Sequence, residues 1–321
     1  MATSPPGSYT PLDQTMTTQS NSPAPQYRWR VGELEAGERL DKLAAAHLDL
    51  PRAHVQELIQ SGRVLLDGAL AKAATRVRAG QEIEVHLPEM TAPPTPEIPI
   101  LHEDEWLVVV NKPAGLPVHP PSLHSPTPSL VGILTREKKL AGGPPERPGV
   151  VHRLDALTSG AMVLAKTQEA YASLVDQFRQ RLVKKEYLAL VEGEVETEEG
   201  EISGRIGRHP RRPWRMQISH GGKEAHTEFQ VLSRGQGKSL LLVRPRTGRT
   251  HQIRLHLAAI GHPVVGDPIY GNAREQLFLH SWRLGFQHPG KGRWLELVAP
   301  PPPWFSPWSQ AFSHQMRPKE A

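Results

Sequence analysis

The fold is decided by the stretch GVVHRLDALTSGAMVLAK, which occupies residues 149–166. Two apolar segments, 150–151 and 161–165, predict two buried strands, and the polar residues between them predict a turn. Polar side chains packed between buried strands must be hydrogen-bonded or functional, because an unpaired polar group costs about 1–3 kcal/mol. Asp155 lies within this turn, where it either caps the backbone of the turn or takes part in chemistry.

The chain has 321 residues, which is enough for two domains or for one large domain with an appendage. It contains no cysteine, so disulfides, thiolate metal sites and a cysteine nucleophile are excluded. No apolar run reaches the ~18 residues that a membrane helix needs, and the N-terminus lacks the features of a signal peptide. We therefore expect a cytoplasmic protein that is not anchored in a membrane.

The chain carries a formal net charge of +5, and its basic residues are unevenly distributed. Five arginines surround Trp214, and a second basic group at 244–254 includes Arg249. Arginine interleaved with an aromatic residue suits phosphate contact combined with base stacking. This half of the chain is therefore predicted to bind nucleic acid, with Arg249 among the contact residues.

Changes in composition divide the chain into five parts. The first residues are rich in Ser, Thr, Pro and Gln, which predicts a disordered tail, because such a segment buries too little apolar surface to become ordered. A proline-rich stretch predicts a linker further along. The parts are a tail at 1–27, a compact module at 28–88, a linker at 89–100, a main domain at 101–303 and a C-terminal tail at 304–321.

The sequence of the module predicts two helices, a hairpin and a final strand. Apolar residues at helical spacing mark the helices, and the second helix is predicted to stop at Gly62. Asp67-Gly68 predicts the turn of the hairpin, and the alternation of polar and apolar residues at 82–87 predicts the last strand.

Two segments of this module, ERLDKL at 38–43 and LIQSGRV at 58–64, resemble the RNA-binding module of the ribosomal-protein-S4 type. The resemblance implies that Arg39, Arg52 and Arg63 contact RNA from the helical face. The module holds nine basic and nine acidic residues, so any binding must come from a patch on one side.

In the main domain the clearest helix is predicted at 167–182, with Thr167 as its N-cap. A strand is predicted at 186–193, with Tyr187 on one face. Residues 201–219 are predicted to form an arginine-rich insertion. Shorter strands are predicted at 106–110, 229–232, 240–243, 277–282 and 294–297, and shorter helices at 130–134 and 250–260.

Three blocks of sequence stand apart in the main domain: HRLD with TSG at 152–160, KEYLA at 185–189 and TGRTHQIR at 247–254. In this order they resemble the RluA/RluD family of pseudouridine synthases. Shorter matches are NKPAG at 111–115, GD at 266–267 with YG at 270–271, and LH at 279–280.

The resemblance implies roles for four residues of this chain. Asp155 matches the catalytic aspartate, Tyr187 the tyrosine that packs against the target base, and Arg254 the basic residue that pairs with the aspartate. Arg153 matches a position that helps to displace the target nucleotide. The implied fold is α+β, with a mixed, largely antiparallel central sheet flanked by helices. A parallel doubly wound sheet is the alternative, which the lack of a glycine-rich phosphate loop disfavours.

The implied reaction detaches uracil from its ribose, turns it and rejoins it through C5 instead of N1. An ionised carboxylate can stabilise or trap the sugar carbon, and a guanidinium such as that of Arg254 favours the ionised form. No cofactor is expected, because the uracil never departs and no redox step occurs. No metal is expected either, since the histidines match no known ligand spacing. A uridine in folded RNA is flipped out at a cost of a few kcal/mol, and Tyr187 is placed to stack on it.

We therefore predict an RNA pseudouridine synthase that acts as a monomer on structured RNA, with large-subunit (23S) ribosomal RNA as the expected substrate. One alternative is a non-catalytic RNA-binding or ribosome-assembly factor of the same fold, which would be expected to lack Asp155. A second alternative is a glycosidase or nuclease that uses Asp155 hydrolytically. Hydrolysis normally needs a second carboxylate, and the three blocks do not supply one.

Overall fold

The computed structural model describes residues 27–48, 50, 52–87, 95–119 and 127–311. The chain divides into two compact units, Met1–Met90 and Thr91–Ala321. The predicted tail up to residue 26, the first half of the predicted linker and the C-terminal residues from 312 onward lie outside the described residues. Within the described part of the chain, no helix is long and apolar enough to cross a membrane.

The first unit contains a four-stranded antiparallel sheet that packs against two helices. Its elements are β1 (Tyr27–Arg30), a 3-10 helix (Glu33–Glu35), α1 (Leu40–Leu48), α2 (Arg52–Gln60), β2 (Val64–Leu66), β3 (Ala69–Leu70) and β4 (Glu82–Val85). The strand order is β1-β4-β2-β3. The sequence did not predict β1, which takes Tyr27 out of the predicted tail. This strand is largely exposed and is held by pairing with β4, so it leaves little local signal.

The end of α2 and the hairpin turn of the first unit form at the residues that the sequence predicted. Gly62, at φ +72°, follows the end of α2, and Asp67 and Gly68 both have positive φ between β2 and β3. Two successive residues with positive φ match the twist of a tight hairpin. Leu40, Ala44 and residues from the sheet are fully buried in one apolar core between the helices and the sheet.

The second unit is built on a mixed sheet, with ten strands among the described residues. Its elements are β5 (Ile100–Glu103), β6 (Leu107–Lys112), α3 (Leu130–Glu137), β7 (Ser159–Ala165), α4 (Gln168–Arg179), β8 (Lys184–Glu192), β9 (Glu199–His209), β10 (Arg212–Ile218), β11 (Lys223–Gly235), β12 (Lys238–Pro245), α5 (Gln252–Ala259), β13 (Leu279–Gln287), β14 (Trp294–Val298) and a 3-10 helix (Pro303–Ala311).

The strand order is β10-β9-β11-β12-β8-β13-β7-β6-β5, and β14 pairs with β13 beyond its short contact with β7. Of the strand pairs in the described residues, β13 with β7 is parallel and the others are antiparallel. The predicted α+β class with a mixed, largely antiparallel sheet is therefore confirmed. Ile100, the last residue of the predicted linker, already pairs with Val110.

Periodicity predicted α4 and β8 well. Thr167 caps α4 as expected, because its hydroxyl oxygen accepts a hydrogen bond from the backbone N–H of Ala170 at 3.1 Å. In β8, Tyr187 and Ala189 face one apolar cluster, while Leu188 faces another on the opposite side of the sheet. The alternation seen in the sequence is thus the alternation of two buried faces.

The prediction of two strands in the stretch 149–166 was wrong. Only β7 forms, and Val150 makes an isolated bridge to Leu164. The reason is that β13 pairs with β7 only at Ser159 and Gly160, so the rest of that edge is bonded by a loop instead. Within this loop, the Gly149 carbonyl accepts a hydrogen bond from the N–H of Ala165.

Two further predictions need correction. The arginine-rich segment 201–219 is part of the sheet, as strands β9 and β10, rather than an irregular insertion. The helix predicted at 250–260 begins only at Gln252, because His251 adopts a left-handed conformation with φ 55° and ψ 19°. This residue is part of the site described below.

We expect the substitution Gly160→Ala to lower the free energy of unfolding by about 3 kcal/mol. Gly160 has φ +114°, and a Cβ added there would lie 2.2 Å from the carbonyl oxygen of Ser281. A backbone neighbour cannot move aside cheaply, so overpacking of roughly 1–3 kcal/mol adds to the conformational strain. Gly237→Ala is the matched control, because Gly237 also has positive φ but nothing within 4 Å. If Gly160→Ala and Gly237→Ala unfold at the same midpoint concentration of urea, the expected clash is contradicted.

Candidate active site

A cavity of about 520 Å³ opens in the second unit where three segments of the chain meet. The first segment is the loop that leads into β7, the second is the end of α4 with the start of β8, and the third is the loop from β12 into α5. Side chains from all three segments line the cavity, including Arg153, Asp155, Lys185, Tyr187, His251 and Arg254. The three blocks that are far apart in the sequence are thus brought together.

The carboxylate of Asp155 forms an ion pair with Arg254 on the wall of this cavity. The Arg254 Nη1 atom donates to Asp155 Oδ2 at 3.1 Å, and 20% of the Asp155 side chain stays exposed. Asp155 does not use its side chain to close its own turn. Instead its carbonyl oxygen accepts from the N–H of Thr158, so the carboxylate is left for Arg254 and for the cavity.

Arg254 is itself fixed by a second carboxylate. Its Nε and Nη2 atoms donate to the two oxygens of the fully buried Asp267, at 2.7 and 2.8 Å. Burial alone would lower the pKa of Arg254, but the hydrogen bonds and charge of Asp267, with the charge of Asp155, outweigh it and raise the pKa. The guanidinium is therefore permanently charged and held in one orientation toward Asp155. The sequence did not assign a role to Asp267, although it lies in a block that matched the family.

Tyr187 lies on β8 beside the same cavity, with 9% of the residue exposed. Burial raises the pKa of Tyr187 to about 12. Tyr187 is thus a protonated phenol at neutral pH, and it lines the cavity together with Asp155.

A buried lysine holds the turn that carries Asp155. Lys112 is fully buried, and its ammonium donates to the carbonyl oxygens of Pro113, Leu116 and Ala156 at 2.8–3.0 Å. Burial lowers the pKa of Lys112 to about 7, while the charge of Asp155 acts in the opposite direction. Because Ala156 directly follows Asp155, this lysine fixes the backbone at the candidate catalytic residue. Sequence reasoning quoted Lys112 within a matching block but gave it no role.

His251 is a third residue to which sequence reasoning gave no role, after Asp267 and Lys112. Its Nδ1 atom lies 3.1 Å from the hydroxyl oxygen of Tyr270, and its Nε2 atom lies 3.9 Å from Asp155 Oδ2. Burial lowers the pKa of His251, and the charges of Arg254 and Arg153 lower it further. The left-handed backbone conformation of His251 turns its ring into the cavity. This conformation leaves no periodic pattern in the sequence, so it could not be predicted.

His152, the histidine of the first block, has a structural role. His152 accepts a hydrogen bond from the N–H of Val163 at 3.1 Å and stacks on Phe178 with ring centroids 4.5 Å apart. Burial lowers the pKa of His152 to about 3, so its ring is neutral. His152 thus orients its loop by hydrogen bonding.

The residues predicted to bind RNA fall into two groups. Arg153 is exposed and Arg249 half-buried at the cavity, and Arg249 donates from Nε to the carbonyl of Glu224 at 3.0 Å. Arg39, Arg52 and Arg63 lie in the first unit.

Within the first unit, one buried carboxylate orients two of these arginines. Asp41 is fully buried and accepts hydrogen bonds from Arg39 and from Arg52 at 2.9–3.2 Å. The hydrogen bonds of Arg39 outweigh burial and hold the pKa of Asp41 well below its usual range. The two guanidinium groups are therefore fixed next to each other and are half-exposed. In this arrangement both cations can contact the same phosphate.

The hairpin of β9 and β10 carries the arginines that surround Trp214. Trp214 is 67% exposed, and Arg211 and Arg212 beside it are exposed as well. Arg215 lies over the ring of Tyr270, with its Cζ atom 5.3 Å from the ring centroid. A surface that combines exposed arginines with an exposed indole suits contact with a nucleic acid.

Among the residues that the structure describes, His102, Asp104 and His288 form a group whose potential ligand atoms lie within 4.8 Å of one another. His288 Nδ1 accepts two backbone N–H groups, at 3.0 and 3.1 Å, so its Nε2 atom carries the proton and donates to Asp104 at 2.7 Å. Lys291 also donates to Asp104. These contacts suit a hydrogen-bonded cluster better than a cation site, and the expectation that the chain needs no metal stays a prediction.

Comparison with known proteins places the chain in a family. The family model described as RNA pseudouridylate synthase matches residues 106–259, and the S4 domain matches residues 38–83. An uncharacterized RNA pseudouridine synthase of Chloroflexus aurantiacus is 44% identical, over 85% of this chain and 89% of that protein. The ribosomal large subunit pseudouridine synthase D of Xylella fastidiosa is 39% identical, over 83% and 86%.

A solved structure of a pseudouridylate synthase also resembles this chain. The human RNA pseudouridylate synthase domain containing 1 is 30% identical and superposes with a TM-score of 0.55, over 67% of this chain and 87% of that one. The chain therefore belongs to the RNA pseudouridine synthase family. It is an isomerase that converts uridine to pseudouridine in RNA, which confirms both resemblances drawn from the sequence.

Proposed function

We propose that this enzyme modifies structured RNA, with large-subunit ribosomal RNA as its substrate, and that Asp155 is the catalytic nucleophile. One observation carries the assignment of the nucleophile. Asp155 presents a partly exposed carboxylate to the cavity and is held there by a buried, permanently charged guanidinium, that of Arg254.

The geometry suits the chemistry of the isomerisation. The bond between N1 of uracil and C1′ of ribose must break, and an ionised carboxylate can trap the carbon that results or add to C6 of the base. Arg254 holds the carboxylate in place through a hydrogen bond of 3.1 Å. The cavity falls in the range of volumes typical of small-ligand sites, so it suits a single flipped-out nucleotide. The ring of Tyr187 lines the same cavity, where it can stack on the base.

Cationic side chains support a structured RNA as the substrate. Arg153 and Arg249 lie at the cavity, where they can reach the phosphates on either side of the target nucleotide. Arg39, Arg52 and Arg63 are carried by the S4 domain, and we propose that they bind the same RNA. The choice of ribosomal RNA rests on relatives that are named ribosomal large subunit pseudouridine synthases. Monomeric action and a cytoplasmic location stay predictions.

We expect the purified full-length chain to form pseudouridine in large-subunit ribosomal RNA at one or a few defined positions. The reason is that a flipped-out uridine must fit the cavity while cations on the same protein hold the surrounding RNA. The experiment incubates protein-free large-subunit RNA and small-subunit RNA with the enzyme in parallel and maps pseudouridine along each. Modification of the small-subunit RNA alone would contradict the proposed substrate, while leaving the assignment of Asp155 to be tested separately.

A further inference from the structure

We infer that His251 accepts the proton that leaves C5 of the uracil during the isomerisation, and thereby acts as the general base of the enzyme. This inference rests on the proposed function, because it assumes that a uridine occupies the cavity beside Asp155. It assigns a role to a side chain that lines the cavity next to the candidate nucleophile and that sequence reasoning left without one.

The position of the imidazole is unusual and well fixed. His251 has φ 55° and ψ 19° just before α5, a left-handed conformation that histidine adopts more readily than most residues. Its side chain is 14% exposed, and its ring meets the ring of Tyr270 edge to face at 5.7 Å. Uncommon backbone conformations cluster at functional sites. Here the conformation turns the ring toward Asp155.

Hydrogen bonding around Tyr270 sets the tautomer of this imidazole. The Tyr270 hydroxyl oxygen accepts from the N–H of Met216 at 2.9 Å, and its proton is directed to the carbonyl of Met216 at 3.2 Å. With that proton on the side of Met216, the contact of 3.1 Å to His251 is donated by Nδ1–H of the imidazole. In this tautomer the lone pair of a neutral His251 is on Nε2.

That lone pair faces the reacting part of the cavity. His251 Nε2 lies 3.9 Å from Asp155 Oδ2, which is too far for a hydrogen bond between them. In the proposed reaction Asp155 attacks either C1′ of the ribose or C6 of the uracil. When C5 of the uracil loses its proton, C5 is bonded to both of these atoms. In either mechanism the C5 proton is thus close to the carboxylate, and so within reach of Nε2.

Other groups at the cavity are less suited to accept this proton. Tyr187 keeps its phenolic proton, since burial raises its pKa to about 12. Lys185 is mostly protonated at neutral pH, although burial lowers its pKa to about 8. His152 already accepts a hydrogen bond on Nε2 from Val163. By contrast, burial and the charges of Arg254 and Arg153 outweigh the opposing charges of Asp155 and Asp267 and lower the pKa of His251, which leaves it neutral.

The step balances without any further reactant. The bond between C5 and C1′ forms, and the bond from Asp155 to its target carbon breaks and returns its electron pair to the carboxylate. C5 then carries its original hydrogen, and N1 is doubly bonded to C6. Nε2 of His251 takes the C5 proton, and the electron pair of that bond forms the C5=C6 double bond. The electron pair of the N1=C6 double bond moves onto N1, which takes up a proton from solvent. His251 gives its proton to solvent, so one proton leaves the base, one is gained, and the product is an isomer of uridine.

The first test replaces His251 with asparagine, which tolerates the left-handed conformation and can still donate to Tyr270. With RNA that carries tritium at uridine C5, we expect single-turnover release to fall by roughly 10²–10⁴-fold. A primary isotope effect should appear with 5-deuterated uridine. RNA that contains 5-fluorouridine has no C5 proton to lose, so its rearrangement should keep the wild-type rate.

His262→Asn is the matched control, because His262 lies just beyond α5 outside the cavity and its Nδ1 contacts the carbonyl of Glu192. This control should release tritium at the wild-type rate. An equal loss for His251→Asn on uridine and on 5-fluorouridine, without an isotope effect, would show a structural role and overturn the inference.

The second test replaces His251 with glycine, which accepts the same backbone conformation and leaves space for a small molecule. Imidazole added to the buffer should restore tritium release, and more basic imidazoles should restore it more strongly. If imidazole fails to restore tritium release by a folded glycine variant, the inference is overturned. If the glycine variant does not fold, the isotope effect of the asparagine variant is the test. Wild-type enzyme that releases no tritium would refute the proposed function itself. Full activity of His251→Asn would refute only the role of His251.

Discussion

Replacing Asp155 with asparagine is expected to lower the single-turnover rate of pseudouridine formation by on the order of 10⁴–10⁶-fold. The amide keeps the size of the side chain and an oxygen that can accept from Arg254, but it cannot serve as a nucleophile. The measurement is the release of tritium from uridine C5 in RNA. Binding of the same RNA should change little, because the arginines of the cavity and of the S4 domain are untouched.

The control for this prediction is Glu198→Gln, which removes an exposed carboxylate that pairs with Arg234, and neither of these two residues lines the cavity. Its tritium release should equal that of the wild type. Release as fast from Asp155→Asn as from the control would show that Asp155 is not the nucleophile. Accumulation of free uracil with the wild-type enzyme would instead indicate hydrolysis.

The second large effect is expected from Arg254→Met, which we predict to destabilise the protein by about 3–5 kcal/mol as well as inactivate it. The substitution leaves Asp267 fully buried without its partner, and it leaves Asp155 without the charge that holds it. Urea unfolding, followed by tryptophan fluorescence, measures the loss in free energy of unfolding. A variant as stable as the wild type would contradict the importance of the buried ion pair.

A double substitution separates the two roles of Arg254. In Arg254→Met combined with Asp267→Asn, a neutral amide replaces the buried carboxylate, so the uncompensated charge is gone. We expect this double variant to recover much of the lost stability, because most of the cost comes from that charge. It should stay inactive, because Asp155 still lacks its guanidinium. Recovery of activity along with stability would show that Arg254 acts only on folding.

Local patterns predicted those elements whose stabilising contacts are visible in the sequence. Thr167 and the helix it caps could be identified because capping and helical periodicity act over a few residues. The prediction failed for Val150, whose neighbour in space is Leu164 in an edge of β7 that β13 leaves open. It failed also for 201–219, where pairing of β9 with β11 and of β10 with β9 makes strands out of a polar, arginine-rich segment.

The candidate site was predictable only in part, for a similar reason. Asp155, Tyr187 and Arg254 could be proposed together because separate blocks matched one family in order. The partners that give them their properties could not be foreseen. Asp267 fixes Arg254 through two hydrogen bonds, and Lys112 holds the turn at Ala156 through a single carbonyl. Such contacts depend on backbone positions that exist only in the folded chain.

The narrow parallel pairing of β13 with β7 divides the large sheet into two parts. The backbone pairing at this junction is confined to Ser159 and Gly160 against His280 and Ser281, while one apolar core packs against strands on both sides of it. The loop with Asp155 belongs to the smaller part, with β5, β6 and β7, while Arg254 and Asp267 belong to the larger one. The ion pair between Asp155 and Arg254 therefore joins the two parts of the sheet across the cavity.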